Sequence, residues 1–325
     1  MARMGDWKGR LGHDPVPYLL LSGNPAILHF TRRDLLDENP GPVRRLWELT
    51  LAQSLLRKQR PDGSWKYPGR VACETEDYSQ LETFRSLGIL VENFGMDKRV
   101  PAISKAVAFL FSRQTGEGDF RGVYGRQYTP NYTGAILELI VKAGYARDPH
   151  VARCFEWLLS MRQDDGGWAL PCITTGDGLN HKTMNGPLIQ PDRTKPFSHG
   201  ATGMVLRAFA AHPKYKRSKE AHHAGRLLAS RFFQRDGPYI GRHTPDFWLR
   251  FSYPFWFTDL LSSLDSLSKM GFDPDDPAIA GALDWFQMAQ RPDGSWRTKL
   301  LRTGGGDTDK WVALGICRVF KRFYG

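Results

Sequence analysis

The chain alternates between two kinds of apolar segment, and the difference between them sets the expected fold. Segments of the first kind carry one apolar stripe on an otherwise polar surface. Val151, Cys154, Phe155, Leu158 and Leu159 recur at i, i+3, i+4, i+7 and i+8, the spacing that gathers side chains on one face of an α-helix. Ile279, Leu283 and Phe286 keep a similar spacing. Segments of the second kind are apolar around most of their circumference. Tyr132, Ala135, Ile136, Leu139, Ile140 and Ala143 form one such face, with Gly134 among them, and 199–211 carries Arg207 as its only full charge. A helix apolar on more than one side is buried on more than one side. Outer, one-sided helices are therefore expected at 43–58, 101–113, 149–162, 217–233 and 277–289, with a short segment at 16–21 completing the set. Inner, two-sided helices are expected at 24–36, 77–94, 129–144, 197–211, 253–270 and 309–323.

Turn strings of one type separate these segments. QRPDGSW occurs unchanged at 59–65 and 290–296, QDDGGW at 163–168, and looser copies, QTGEGDF and QRDGPY, at 114–120 and 234–239. The Asp-Gly pair supplies the positive φ that ends a helix, the aromatic can fold back over the turn, and the Gln amide can satisfy open backbone groups at a helix end. An internal repeat of this period makes a solenoid or a ring. An open solenoid needs polar capping repeats, and the last helix is not polar, so an all-α ring of about six inner and six outer helices is expected. It would be an α/α toroid forming one domain over 1–325, with 170–195 a long rim loop.

Composition narrows the partners. The 325 residues are 41% hydrophobic and 24% charged with a formal charge of +11, an ordinary globular balance. The basic residues are scattered over helices and accompany no nucleic-acid motif, so solvated outer faces are expected, with weak attraction to an anionic membrane surface as the alternative. No nucleic-acid partner is predicted. The absence of a membrane-length apolar run and of a leader-like N-terminus predicts a cytoplasmic protein. Cys73, Cys154, Cys172 and Cys317 lie far apart and read as free thiols.

The turn strings resemble the QW motifs of the terpenoid cyclases, squalene–hopene cyclase above all, and the related repeats of protein prenyltransferase β subunits. ALDWFQMAQRPDGSW, 282–296, is the clearest copy. The resemblance implies an isoprenoid-binding toroid that could carry out proton-initiated cyclisation without metal or other cofactor. The central Asp of a D-x-D-D motif is that family's acid. Of two similar strings here, Asp273-Pro-Asp-Asp276 precedes Pro277 and reads as a helix cap. Asp307-Thr-Asp309-Lys310 opens the last inner helix, where Asp309 matches the central acid and Asp307 its neighbour, but Lys310 replaces the final Asp. A non-catalytic binding or scaffold ring stays open on that departure.

The residues offer further candidates. Asp259 follows an aromatic run in an otherwise apolar segment, and is either paired across the ring, for instance to Arg207, or a perturbed lumen acid. Tyr78, Tyr124, Tyr128, Tyr132, Trp248, Tyr253, Phe255, Trp256, Phe257 and Trp311 would line one mouth, with His199 opening the fourth inner helix. Aromatic faces suit a carbocation and an elongated apolar ligand. Glu74, Glu76 and Asp77 are first-turn acids that either complement a helix dipole or hold a cation. The prenyltransferase alternative needs zinc, and no Asp-x-Cys string supports it, with Cys73, Cys172 and His199 as the remote donors. Asp77 and Asp259 would be the acids of a carbohydrate-active ring.

Overall fold

A computed structural model describes residues 7–69, 76–239, 244–301 and 307–325. Twelve helices among these residues build the ring. The outer ones are α1 (Val16–Leu20), α3 (Thr50–Arg57), α5 (Pro101–Ser112), α7 (Pro149–Ser160), α9 (Lys219–Ala229) and α11 (Pro277–Met288). The inner ones are α2 (Pro25–Leu35), α4 (Tyr78–Phe94), α6 (Pro130–Ile140), α8 (His199–Ala211), α10 (Leu260–Met270) and α12 (Thr308–Tyr324). Each inner helix packs on the next, and α12 packs back on α2. The α/α toroid is closed. The burial split follows the two patterns: α8 is buried along twelve of its residues, Ala211 alone being partly exposed, whereas α11 buries only Ile279, Ala282, Leu283 and Phe286.

The turn strings join one outer helix to the next by repeated chemistry. Trp65, Trp168 and Trp296 each donate the indole N–H to a carbonyl ten residues earlier, that of Leu55, Leu158 and Phe286, at 2.8, 2.6 and 2.8 Å. The amides of Gln59 and Gln114 donate to Ala102 and His150, at the starts of the following outer helices. Gln290 donates to His13 just before α1 and so ties the end of the outer layer to its beginning. Gly63, Gly118 and Gly294 have φ of 89°, 109° and 81°. A Cβ on them would come within 2.2–2.7 Å of backbone oxygens of the incoming segment, so both torsion and contact require glycine there.

Three expected elements differ. The helix expected at 43–58 is a 3-10 turn, Val43–Glu48, and then α3, because Leu49 is extended between them (ψ 143°). The helix expected at 129–144 ends at Ile140 and leaves through a π turn, with Gly144 at φ 99°. The helix expected at 253–270 begins at Leu260. Pro254 lacks the N–H a helix interior needs, and Tyr253–Phe257 forms a non-helical strap ahead of it. No helix among the described residues is long and apolar enough to cross a membrane.

Candidate functional site

The strap fills the middle of the ring and divides it. Tyr253 stacks on Trp311 of α12, with ring centroids 5.2 Å apart and planes 4° from parallel, and its hydroxyl meets Arg318 at 3.1 Å. Trp256 lies 5.5 Å from Phe84 of α4. On the side of Phe84 is a chamber of about 420 Å³, bounded by α4, Leu139 of α6, the strap and Thr308. Its volume sits in the lower half of the range common for ligand sites, roughly 300–1,000 Å³. Phe84, Ile89, Leu139, Phe255 and Trp256 make its apolar lining, and Leu51 and Pro68 flank it from the outer layer.

Glu82 and Arg85, one turn apart on α4, put charge against this apolar wall. Burial raises the Glu82 carboxyl, and the Arg85 guanidinium, 3.4 Å away, offsets only part of that rise. Arg85 also lies 4.6 Å over the Trp256 ring, so that face already holds a cation. The other carboxylates of the chamber, Glu92 and Glu138, are held by Lys142.

Beyond Tyr253 and Phe255 lies a charged cavity of about 670 Å³. Charge reaches it from four inner helices and the turn after α6: Asp34, Glu92, Lys142, Asp265 with Lys269, and Arg318 with Arg322, and Lys142 links it to the buried pair Glu138 and Arg207. The pairs are close, with Arg318 to Asp34 at 2.7 Å and Arg207 to Glu138 at 2.9 Å. Burial alone would raise the Asp265 carboxyl, but Lys269 and Arg322 outweigh it and hold it well below the usual carboxylate range. Apart from Arg207, these charged residues escape sequence reading because each helix supplies only one or two of them.

The sequence candidates separate into those the chamber gathers and those it does not. Tyr253, Phe255 and Trp256 line it, and Trp311 backs Tyr253. Asp309 is exposed, turned toward the outer layer, and accepts a hydrogen bond from Tyr18 at 2.8 Å. Asp307 accepts from Asn24 at 3.1 Å and makes no side-chain cap on α12. Asp259 lies in no helix interior. It caps α10, accepting from the Ser262 N–H at 2.7 Å, and burial pushes its carboxyl up to about 7. The pairing expected with Arg207 goes instead to Glu138, while Arg207 donates to the Phe257 carbonyl.

The other aromatics serve neighbouring packing. Trp248 sits 4.4 Å from His199, which pairs with Asp236, and donates to the Gln234 carbonyl. Tyr128 donates to Glu117 and packs on Trp157. Tyr124, Tyr132 and Phe84 form an edge-to-face row. Tyr78 packs on Tyr67 and donates to Glu76, and Phe257 packs on Trp256. Asp276 caps α11 from the Ala278 and Ile279 amides. Cys73 and Glu74 lie outside the described residues. Among those described, no group of three His, Cys, Asp or Glu side chains is placed to hold a metal ion.

The family model of the squalene–hopene cyclase C-terminal domain matches residues 72–186. A probable squalene–hopene cyclase of Sinorhizobium fredii is 30% identical over 93 residues, 28% of this chain and 14% of that protein. The squalene–hopene cyclase of Bradyrhizobium diazoefficiens is 24% identical over 225 residues, 62% of this chain and 32% of that one. The chain is terpenoid-cyclase-like. It spans about a third or less of the length of these curated relatives. Among solved structures, the type II terpene cyclase MstE of Scytonema, in complex with geranylgeranyl dihydroxybenzoate, is similar at a TM-score of 0.45 and 14% identity. That likeness covers 88% of this terpenoid-cyclase-like chain and 83% of the other.

Proposed function

We propose that the ring is a class II terpene cyclase-like protein that binds an apolar isoprenoid in the chamber and protonates it there. The observation that carries this reading is a carboxyl, Glu82, raised by burial and set in a wall of aromatic and aliphatic side chains. An alkene is a very weak base and takes a proton only from the acid form of a donor, the form toward which burial shifts the Glu82 carboxyl against the pull of Arg85. The cation that forms needs shielding from water and the faces of aromatic rings, which Phe84, Tyr253 and Phe255 offer. Glu82 replaces Asp309 as first candidate acid, because Asp309 points away from the chamber. Asp259 stays second, behind the strap and engaged in capping.

A second reading, a ring of the same repeat family that binds isoprenoid without turning it over, is favoured by the outward position of Asp309 beside Lys310. On either reading the QW-type strings act as clips between outer helices, and the unit is one toroid. A cytoplasmic protein with weak attraction to anionic membranes accords with the charge of +11.

Product analysis after incubation with polyprenyl substrates of several chain lengths separates the readings. Cyclised product from the native chain, lost in Glu82→Gln and kept in Asp309→Asn, is the expected result. Retention of substrate with no product in any variant supports the binding ring. No retention at any chain length overturns both.

A further inference from the structure

A third cavity, of about 500 Å³, lies on the rim where inner helices begin, between the start of α4, the loop 121–126 and the turn at 186–188. Gln80 lines it. The side chain is fully buried, yet neither its amide nitrogen nor its amide oxygen has a hydrogen-bond partner among the described residues. A buried amide left in that state costs about 1–3 kcal/mol, so a ligand that enters the cavity and bonds to it recovers up to that much on binding. The space before it is kept open by glycine: at Gly122, φ is 110°, and a Cβ would come 3.3 Å from the Gln80 oxygen and 2.9 Å from the Asp77 Cβ.

The charges around the cavity set the class of ligand. Three guanidinium groups line it, those of Arg113, Arg121 and Arg126, against the single carboxylate of Asp77. Arg121 is taken up by Asp119 and Glu117, and Arg113 is shared with Asp77 at 3.2 Å. Arg126 is exposed and forms no ion pair among the described residues. A fork of fixed donors of this kind suits the oxygens of a carboxylate or phosphate. The Gln80 amide adds one donor for the anion and one acceptor for a hydroxyl beside it.

We propose that this rim pocket binds a small hydroxylated organic anion, a carboxylate or a phosphate, through Arg126, Arg113 and the Gln80 amide. The site stands apart from the chamber and does not depend on the isoprenoid reading.

Calorimetric titration of the full chain with citrate and with glycerol 3-phosphate tests it, with glycerol as the neutral control. Saturable binding of either anion is expected, and which one binds decides between carboxylate and phosphate. Arg126→Ala and Gln80→Leu should each raise the Kd about tenfold or more, the loss of one charge-assisted hydrogen bond. Gln80→Leu should keep or raise the melting temperature, because it removes an unsatisfied polar group of similar volume. The proposal is overturned by any of three results: no saturable binding of either anion, equal binding of glycerol, or unchanged affinity in both variants. A fall in melting temperature for Gln80→Leu would also overturn it, by showing that the amide has a structural partner in the free protein.

Discussion

Replacing Glu138 should destabilise the ring more than replacing its partner Arg207, and the two losses should not add. The side chains are 5% and 1% exposed and 2.9 Å apart, so neither charge can be returned to water without opening the packed pair of α6 and α8. Burial alone would raise the Glu138 carboxyl, but Lys142 and Arg207 outweigh it and lower it. Glu138→Gln leaves Arg207 as a buried cation facing a neutral amide, a loss of about 3–5 kcal/mol. Arg207→Met leaves Glu138 with Lys142 still 2.7 Å away, which places its cost at or below the low end of that range. The double variant removes both charges, so the cycle should show coupling of about 1 kcal/mol or more. Urea unfolding followed by far-ultraviolet circular dichroism measures all four states. Melting shifts should run at roughly 2–4 °C per kcal/mol for a chain of this order of size. Losses that simply add, or a Glu138→Gln cost below about 1 kcal/mol, would refute the buried-pair reasoning.

Three further outcomes follow from the same geometry. Asp259 has a carboxyl raised to about 7, so the folded state holds a proton that the unfolded state, near its ordinary value of about 4, has released. Stability from this group is present below about pH 4 and falls as pH rises to about 7, and the melting-temperature difference between the native chain and Asp259→Asn should follow that window, with Asn still capping α10. A difference that does not vary with pH would contradict the burial of this carboxyl. Gly134→Ala places a Cβ 2.6 Å from the Val205 Cα. The overpacking cost of about 1–3 kcal/mol should outweigh the helix-propensity gain of up to about 1 kcal/mol, and thermal melting would show a net loss. Asp309→Asn, at an exposed residue bonded to Tyr18, should leave ligand retention unchanged by native mass spectrometry, whereas Trp256→Ala should weaken it.

The ring was legible because its causes are local and repeated. One-sided and two-sided stripes differ within any single helix, the Trp of three turn strings bonds ten residues back, and Gln59 and Gln114 bond to the start of the next outer helix. The chamber was less legible. Tyr253, Phe255 and Trp256 read as lining residues from the sequence, but an apolar run leading straight into α10 reads as more helix, and only Pro254 marks the break. Asp309 sits at the expected point of its motif and fails by rotation: adjacent helical residues point about 100° apart, so Thr308 faces the chamber and Asp309 the outer layer. Glu82, Glu138 and Lys142 were hidden for another reason. A lone charge in a mostly apolar helix shows neither its partner nor its burial until the ring brings six helices together.

Photoaffinity labelling with a diazirine-bearing polyprenyl analogue, followed by peptide mapping, tests the central claim most directly. Labels on the peptides of 82–93 and 252–257, competed away by unlabelled polyprenyl compound, are the result predicted for an isoprenoid held in the chamber. Labels confined to surface peptides, or none that unlabelled compound displaces, would contradict it.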